Sequence, residues 1–384
     1  MGNKHLLHDS KICLVLSFGD LSVLEISTFL EEKLQSIRKV CDRIAIAETK
    51  ESTKLEEIYG IHKAAYPVIA LKQKELLLSL ISYIPSNPEE KLKISLSLYC
   101  SSDKELYESV LSELISSFRQ YEYKHVKVLR QMEVKSDYIA RKHVTDFVTF
   151  LDSGQAYIAL TQFLPNTSYI QHHISNLAYK DSRISLSPRL ARTLVNIANP
   201  RRKGIVLDPF CGTGTILVEA LSLGMRCIGS DISKERVIQT KKNILKLFPD
   251  SENRFRLFVS DVTNLKDRLE GKSISSIVTE PILLPTFKAR PSKKIASQLL
   301  ENSKAIYTEL LTLSDKVLEK GGILTIVVPL IPTLDGGEAT IKLSTEGTRL
   351  INFETERFKP VYPIRLPFES TRYVKRAIYA FKAT

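Results

Sequence analysis

The chain has 384 residues and a formal net charge of +12, a length that predicts two or three domains. No run of 18 apolar residues occurs and the amino terminus lacks a secretory apolar core, so we expect a cytoplasmic protein with no membrane span. Its five cysteines are scattered without a Cys-x-x-Cys pair, which predicts neither a metal site nor a disulfide scaffold.

Residues 1–155 predict a mixed α/β region. Hydrophobic patterning predicts strands at Ile12–Phe18, Arg43–Ala47, Leu92–Tyr99, Val126–Arg130 and Phe147–Leu151, and helices at Ser22–Glu31 and Glu105–Phe118. Leu92–Tyr99 alternates, so one polar face is expected on that strand. The β-α-β order is typical of a ferredoxin-like fold. Residues 156–185 are interpreted as a linker, and residues 186–384 as a second domain.

A glycine-bearing turn joins a strand to a helix in the second domain. Gly204–Leu207 predicts a buried strand and Ile216–Leu221 a helix start. Between them lies Asp208-Pro209-Phe210-Cys211-Gly212-Thr213-Gly214-Thr215. Glycines let a ligand approach the backbone, and the helix start offers free N–H groups. Because no Gly-Lys-Ser/Thr follows to hold phosphates, the turn favours a ligand with a carboxylate and a ribose.

Acidic residues follow the next three predicted strands. Met225–Asp231 and Arg256–Asp261 end in an acid, and Ser273–Thr279 is followed by Glu280-Pro281. Carboxyl ends of parallel strands meet at one sheet edge, where such folds bind ligands. Asp231 has nearly the offset expected of an acid that binds ribose hydroxyls. The alternative for Asp231 and Asp261 is a cap on the following helix.

The remaining elements complete the predicted sheet. A helix is predicted at Ser303–Leu318, with Gly321-Gly322 ending it. A fifth strand follows at Ile323–Pro329. A final pair is predicted at Leu350–Phe353 and Tyr373–Phe381.

The order of these motifs resembles that of class I S-adenosylmethionine-dependent methyltransferases. The closer resemblance is to the THUMP-containing tRNA guanine-N2 methyltransferases of archaea and eukaryotes. It rests on Leu207–Thr215, on the Pro188-started segment Ser185–Ala198 and on the place of Thr279-Glu280-Pro281, and it is faint before residue 150. The resemblance implies an α/β protein: a Rossmann-like methyltransferase sheet with a smaller ferredoxin-like and THUMP-like amino-terminal region. It also implies S-adenosyl-L-methionine as cofactor and RNA, most of all tRNA, as partner; a small activating subunit is left open.

The resemblance also implies roles for residues at matching positions. Asp208 and the turn would hold the methionine part, Asp231 the ribose and Asp261 the adenine amino group. Glu280 would orient the target nitrogen. The candidate catalytic residues are Glu280 and Pro281. The candidate cofactor-binding residues are Asp208, Phe210, Gly212, Thr213, Gly214, Thr215, Asp231, Ile232, Asp261 and Val262.

The chain departs from the family at its catalytic motif. Where the family has Asp-Pro-Pro-Tyr, this chain has Glu280-Pro281-Ile282-Leu283. The Tyr stacks on the flipped base, and base–aromatic stacking is worth on the order of 1–3 kcal/mol. On the family pattern, Glu280→Asp should keep or raise activity. Two alternatives stay open: a DNA adenine-N6 methyltransferase, and a cofactor- and RNA-binding protein with weakened catalysis.

The positive charge is confined to the second part of the chain. Residues 1–150 hold 21 basic and 21 acidic residues, whereas residues 151–384 hold 34 and 22. A basic excess favours a nucleic acid, through contacts with its phosphates. The best candidates for these contacts are Lys288, Arg290, Lys293 and Lys294. A second basic cluster holds Arg365, Arg372, Lys375 and Arg376; the alternative for either cluster is a solvated face.

Overall fold

The computed structural model describes residues 11–31, 33–49, 55, 58, 61–71, 80–81, 84, 91–121, 123–129, 139, 142–164, 168–179, 186–269, 273–281, 284, 287, 289–367 and 374–384. The chain divides into two compact units, Met1–Val23 with Leu30–Thr167, and Leu24–Phe29 with Ser168–Thr384. The predicted boundaries at 155/156 and 185/186 stay a prediction. Over the described residues, no helix has the length and apolar character needed to cross a membrane.

The amino-terminal unit is built on an eight-stranded mixed sheet of order β2-β3-β1-β4-β8-β7-β5-β6. Its strands are β1 Lys11–Leu16, β2 Leu34–Cys41, β3 Ile44–Thr49, β4 Ile61–Ala70, β5 Leu92–Tyr99, β6 Val126–Leu129, β7 Thr145–Asp152 and β8 Gln155–Phe163. Helix α1 (Asp20–Leu30) follows β1, and helix α2 (Lys104–Gln120) joins the parallel strands β5 and β6. The ferredoxin-like and THUMP-like subdivision of this region stays a prediction.

The polar face predicted for β5 is buried inside this sheet. Ser95 and Ser97 of β5 are fully buried. Both donate to Oδ1 of Asp146, at 2.7 and 3.4 Å. The ammonium group of Lys63 lies 2.9 Å from Oδ2 of Asp146, and Thr161 donates to the same oxygen. The serines of this face therefore contact a buried ion pair.

The linker prediction needs correction for part of its length, because residues 156–163 lie in strand β8 and helix α3 (Ser168–Asn176) follows. Cys41 and Cys100 form a disulfide with a Cα–Cα distance of 5.9 Å. The sequence predicted no disulfide scaffold and did not indicate this single pair, because folding of the sheet joins two positions 59 residues apart.

The carboxyl-terminal unit contains a nine-stranded sheet of order β11-β10-β9-β12-β13-β17-β15, with β14 beside β13 and β16 beside β17. Its strands are β9 Ile205–Asp208, β10 Arg226–Asp231, β11 Phe255–Val259, β12 Ile274–Thr279, β13 Leu318–Pro332, β14 Glu338–Thr340, β15 Leu350–Asn352, β16 Ile364–Arg365 and β17 Lys375–Ala383. Strands β9 to β13 are mutually parallel, and β17 is antiparallel to β13 and β15. The predicted parallel sheet with an antiparallel final pair is confirmed.

Helices flank this sheet. They are α4 Pro188–Ala198, α5 Thr215–Ser222, α6 Lys234–Leu247, α7 Leu265–Arg268 and α8 Lys293–Val317. As predicted, α4 starts at Pro188 with a Ser187 cap that accepts from Leu190 N. Helix α8 begins ten residues before the predicted Ser303, because buried Ala296 and Leu300 extend its apolar face.

The sequence predicted that Gly321 and Gly322 end helix α8. Instead, both glycines lie inside β13. At Gly322 an added Cβ would come within 2.9 Å of the Glu319 carbonyl oxygen and 3.0 Å of the Ser275 carbonyl oxygen. A glycine is therefore required there by close backbone approach rather than by a helix terminus.

Candidate functional site

The glycine turn adopts the left-handed backbone that its sequence requires. Gly212 has φ 54° and Gly214 has φ 91°, and Gly214 caps helix α5. A Cβ on Gly214 would lie 2.8 Å from Cγ2 of Thr240, whereas a Cβ on Gly212 would meet nothing within 4 Å. Gly214 thus serves packing against helix α6, and Gly212 leaves an open approach to the backbone.

Two side chains of helix α6 support the turn. The Thr240 hydroxyl donates to the Gly212 carbonyl at 2.7 Å, and the Asn243 amide donates to the Thr213 carbonyl at 2.9 Å. Both residues are fully buried and lie three positions apart, on one face of the helix. They satisfy two turn carbonyls and fix the turn against α6.

Asp208 is the buried last residue of β9. Its Oδ1 accepts from the Thr279 hydroxyl at 2.7 Å and from Phe210 N at 3.2 Å. Burial, the largest cause, raises the pKa of Asp208 to about 7; the hydrogen bonds oppose this rise and the nearby carboxylates of Asp231 and Glu280 add to it. Near neutral pH this carboxyl group therefore changes its charge.

Asp231 ends β10 and contacts the glycine turn. Its Oδ2 accepts from Gly212 N at 3.0 Å, and its Oδ1 accepts from Ser233 N at 2.9 Å, beside the start of α6. Each carboxylate oxygen has two lone pairs, so each retains one for a ligand. The adjacent Ile232 side chain is 73% exposed. The contacts are compatible with both the capping and the ribose-binding interpretations.

Asp261 lies two residues beyond the end of β11, at Val259, rather than at the strand end that the sequence predicted. It caps a 3-10 helix, Val262–Asn264, and accepts from Thr263 N and the Thr263 hydroxyl. Val262 is buried in the hydrophobic core. The capping alternative therefore describes the contacts of Asp261, and its adenine-binding role stays a prediction.

Glu280 follows β12 and forms an ion pair with Arg376 of β17. Arg376 Nε lies 2.5 Å from Oε1, and Nη2 lies 3.5 Å from Oε2. The two side chains are only 10% and 11% exposed. The pair joins residues 96 positions apart, and Pro281 beside it is half-buried.

An open pocket with about 560 Å³ of empty space lies at this edge of the sheet. Of the residues predicted to form the site, those that line it are Asp208, Phe210, Gly212, Thr213, Thr215 and Glu280. The predicted residues that do not line it are Gly214, Asp231, Ile232, Asp261, Val262 and Pro281. The structure thus brings the glycine turn and Glu280 together, and Asp231 reaches them through Gly212.

Three of the four predicted nucleic-acid contacts lie on the surface of the described chain. Arg290, Lys293 and Lys294 are exposed, while Lys288 lies outside the described residues, as do Ile282 and Leu283. Lys293 and Lys294 are the first residues of α8, where positive charge opposes the helix dipole. Helix stability therefore does not explain their position, and their contact with a nucleic acid stays a prediction.

Comparisons of sequence place this unit among known proteins. Residues 180–329 match the family described as RMKL-like, methyltransferase domain. The tRNA (guanine(10)-N2)-dimethyltransferase of Methanothermobacter thermautotrophicus is 35% identical over 145 residues, which are 38% of this chain and 39% of that protein. Its namesake from Pyrococcus abyssi is 37% identical over 26% of this chain and 28% of its own length. Residues 180–329 are therefore similar to a methyltransferase domain. The chain spans about two fifths or less of the length of these two relatives.

Solved structures share the fold of this chain. TrmN from Thermus thermophilus superposes with a TM-score of 0.56 at 13% identity, over 97% of this chain and 100% of that one. A possible methylase from Clostridium difficile 630 does so with a TM-score of 0.51 at 13% identity, over 98% of each chain. At this identity the likeness is one of fold, and it confirms the predicted α/β class.

A second family, described as DNA methylase, matches residues 98–242 of the chain. The Type II methyltransferase M.SmaI of Serratia marcescens is 34% identical over 74 residues, which are 19% of this chain and 25% of that protein. The DNA methylase match ends before β12, so it does not include Glu280.

Sequence reasoning missed several residues of this site, among them Leu186 and Arg236, which line the pocket. Thr240 and Asn243 carried a weak signal, as polar residues three positions apart in helix α6. Arg376 was interpreted only as part of a basic surface cluster, but it is 9% exposed and paired with Glu280. Nothing local in the sequence indicates that partner, because the pair forms between distant strands.

Proposed function

We propose that this protein transfers a methyl group from S-adenosylmethionine to an exocyclic amine of a base in RNA, with guanine N2 in tRNA as the preferred target. The observation that carries this proposal is that Glu280 lines the same pocket as Asp208 and the glycine turn. A hydrogen-bond acceptor thus lies beside the edge where such folds bind a nucleoside-type cofactor.

The residues of the turn fit that cofactor. Gly212 leaves an open approach to the backbone, and helix α5 starts three residues later, at Thr215. A helix start with its free N–H groups favours a carboxylate such as that of methionine. In the proposed complex, Asp208 and residues 210–215 hold the methionine part, Asp231 and Ile232 the ribose, and Asp261 and Val262 the adenine.

The chain would contribute mainly orientation. S-adenosylmethionine supplies an electrophilic methyl group on its sulfonium sulfur. Glu280 would accept a hydrogen bond from the target amine and direct the nitrogen lone pair at that methyl group. Holding two reactants in line can supply a large part of a rate enhancement. Pro281, directly after Glu280, would restrict the backbone at this point.

Two observations support tRNA as the substrate. The chain is 35% and 37% identical, over parts of its length, to two relatives named tRNA (guanine(10)-N2)-dimethyltransferase. Exposed Arg290, Lys293 and Lys294 follow Glu280 along the chain and would contact phosphates. Lys288 belongs to the same proposed surface. A cytoplasmic location is part of this proposal.

A DNA amine is the second candidate substrate, favoured by the DNA methylase match and the likeness to M.SmaI. Methyl transfer to an amine of either nucleic acid would use the same pocket. The two candidates differ in the nucleoside that becomes methylated.

The proposal is tested by incubating the full chain with labelled S-adenosylmethionine and either unmodified tRNA or duplex DNA, followed by mass spectrometry of the nucleosides. We expect N2-methylated guanosine from tRNA, and loss of turnover without loss of cofactor binding in Glu280→Ala. Methylated adenine from DNA alone would favour the second candidate. Firm cofactor binding with no methylated product would favour a cofactor-binding protein without catalysis.

A further inference from the structure

Arg376 lies two strands away from the end of β12, yet it reaches Glu280. Strand β12 pairs with β13, β13 pairs with β17, and Arg376 stands opposite Pro329 of β13. The two long side chains meet with Nε 2.5 Å from Oε1. Arg376 is therefore anchored in the sheet, while its guanidinium group contacts the acid at the pocket.

The length of the Glu280 side chain determines this contact. An aspartate is shorter by one carbon–carbon bond, about 1.5 Å. On this backbone its carboxylate would end beyond the roughly 3.2 Å limit of a good N–H···O bond to Arg376. The extra methylene of Glu280 thus lets its carboxylate contact Arg376 of β17.

The ion pair contacts both oxygens of the Glu280 carboxylate. Arg376 donates from Nε to Oε1 and from Nη2 to Oε2. Few rotamers of Glu280 would keep both contacts, so the carboxylate has a fixed direction at the pocket.

We propose that Arg376 is a positioning residue for Glu280, and that the pair takes the place of the aspartate that the family resemblance implies. This inference rests on the proposed function. The site uses a glutamate because only the longer side chain reaches the guanidinium group that fixes it. Glu280→Asp should then lower activity, which is the opposite of the expectation from the family pattern.

The test measures steady-state methyl transfer to tRNA by the full chain. We expect Arg376→Met and Glu280→Asp each to lower kcat by about tenfold or more, since a misplacement of about 1 Å can cost that much. KM for tRNA and Kd for S-adenosylmethionine should stay within about twofold, because neither involves the direction of the carboxylate. Arg376→Lys should retain more of kcat than Arg376→Met.

A double variant separates positioning from a structural role. If Arg376 acts through Glu280, Glu280→Asp/Arg376→Met should be no slower than either single variant. The matched control is Lys304→Met on α8, whose partner is Glu301 at 3.3 Å and whose side chain is 58% exposed. This control should keep the wild-type kcat.

Each remaining outcome decides against the inference. If the wild type is active and Arg376→Met keeps its kcat, the inference is wrong and the proposed function stands. The same holds if Arg376→Met and Arg376→Lys both raise KM or weaken cofactor binding, since Arg376 would then act on the fold. A wild type that methylates no RNA or DNA would overturn the proposed function, and this inference with it.

Discussion

Asp208 and Thr279 meet across two adjacent parallel strands, where the threonine hydroxyl donates to Oδ1 of the buried acid at 2.7 Å. Thr279 is also the residue directly before Glu280. Asp208, at the start of the glycine turn, is thereby linked to the end of β12, which carries Glu280, the proposed acceptor of a hydrogen bond from the target amine. One hydrogen bond joins the two halves of the proposed site.

The raised pKa of Asp208 predicts a pH-dependent stability. Below about pH 4 the carboxyl group is protonated in both the folded and the unfolded chain. Between pH 4 and 7 the unfolded chain ionises while folded Asp208 stays protonated, so the free energy of unfolding should fall with rising pH and then level off. Asp208→Asn should remove this decline, which urea unfolding at several pH values would measure. Parallel pH curves for the two proteins would contradict it.

Removal of the Asp231 carboxylate should weaken cofactor binding. In Asp231→Ala the Gly212 N–H loses its acceptor, and the proposed ribose contact is lost as well. Hydrogen bonds to charged groups contribute about 1.5–3 kcal/mol, so Kd for S-adenosylmethionine should rise by roughly ten- to hundredfold in calorimetry. Glu235→Ala, an exposed acid in the first turn of the next helix, is the control and should bind normally. Unchanged affinity in folded Asp231→Ala would remove Asp231 from the site.

Neutralising the basic cluster should reduce the salt dependence of RNA binding. The variant replaces Arg290, Lys293 and Lys294 by Gln. Each lost phosphate contact should reduce the slope of log affinity against log salt by roughly 0.7–0.9.

The matched control for this variant replaces Lys316, Lys320 and Lys382 by Gln. These three lysines are exposed and lie near the start of β13, whereas the pocket lies at the carboxyl ends of the parallel strands. It removes the same charge from the same unit and should have a smaller effect on the slope. Equal slopes for both variants would show that the cluster is an ordinary solvated surface. Adding Lys288→Gln to the first variant tests the fourth predicted contact.

The buried pair Lys63–Asp146 should be important for the stability of the amino-terminal unit. Removing one partner of a buried pair leaves an uncompensated charge, which costs about 3–5 kcal/mol. Lys63→Met should lower the free energy of unfolding by that order in denaturant titrations. Arg38→Met, in an exposed pair with Asp152, should cost less than about 1 kcal/mol. A similar cost for both variants would contradict this account.

The sequence predicted the order of the parallel strands and the glycine turn, because both follow from local patterns. Hydrophobic runs and helix caps are encoded within a few residues, and β9, β10, β12 and α4 lie close to the predicted bounds. The bounds of helix α8 and strand β13 were predicted less accurately. The cap Ser292, directly after Pro291, was not used as a helix start, and Gly321-Gly322 also fits a helix end.

Contacts between distant strands could not be predicted in this way. Asp146 receives hydrogen bonds from two strands besides the one that carries Lys63, and Arg376 meets Glu280 across β13. Their residues are ordinary polar positions when each strand is considered alone. Only the pairing order of the sheets brings them together, so the charge of Arg376 was assigned to the surface instead of the site.

Each unit contains a buried free thiol whose labelling would indicate that the unit has unfolded. Cys13, Cys211 and Cys227 are buried, and Cys41 and Cys100 are joined. A maleimide should therefore modify the folded, oxidised protein hardly at all, and the folded, reduced protein at the two half-buried thiols of the amino-terminal unit. Rapid labelling of Cys13 would report opening of the amino-terminal unit. Rapid labelling of Cys211 or Cys227 would report opening of the carboxyl-terminal unit. Peptide mapping of the labelled sites would then follow the unfolding of the two units separately in one sample.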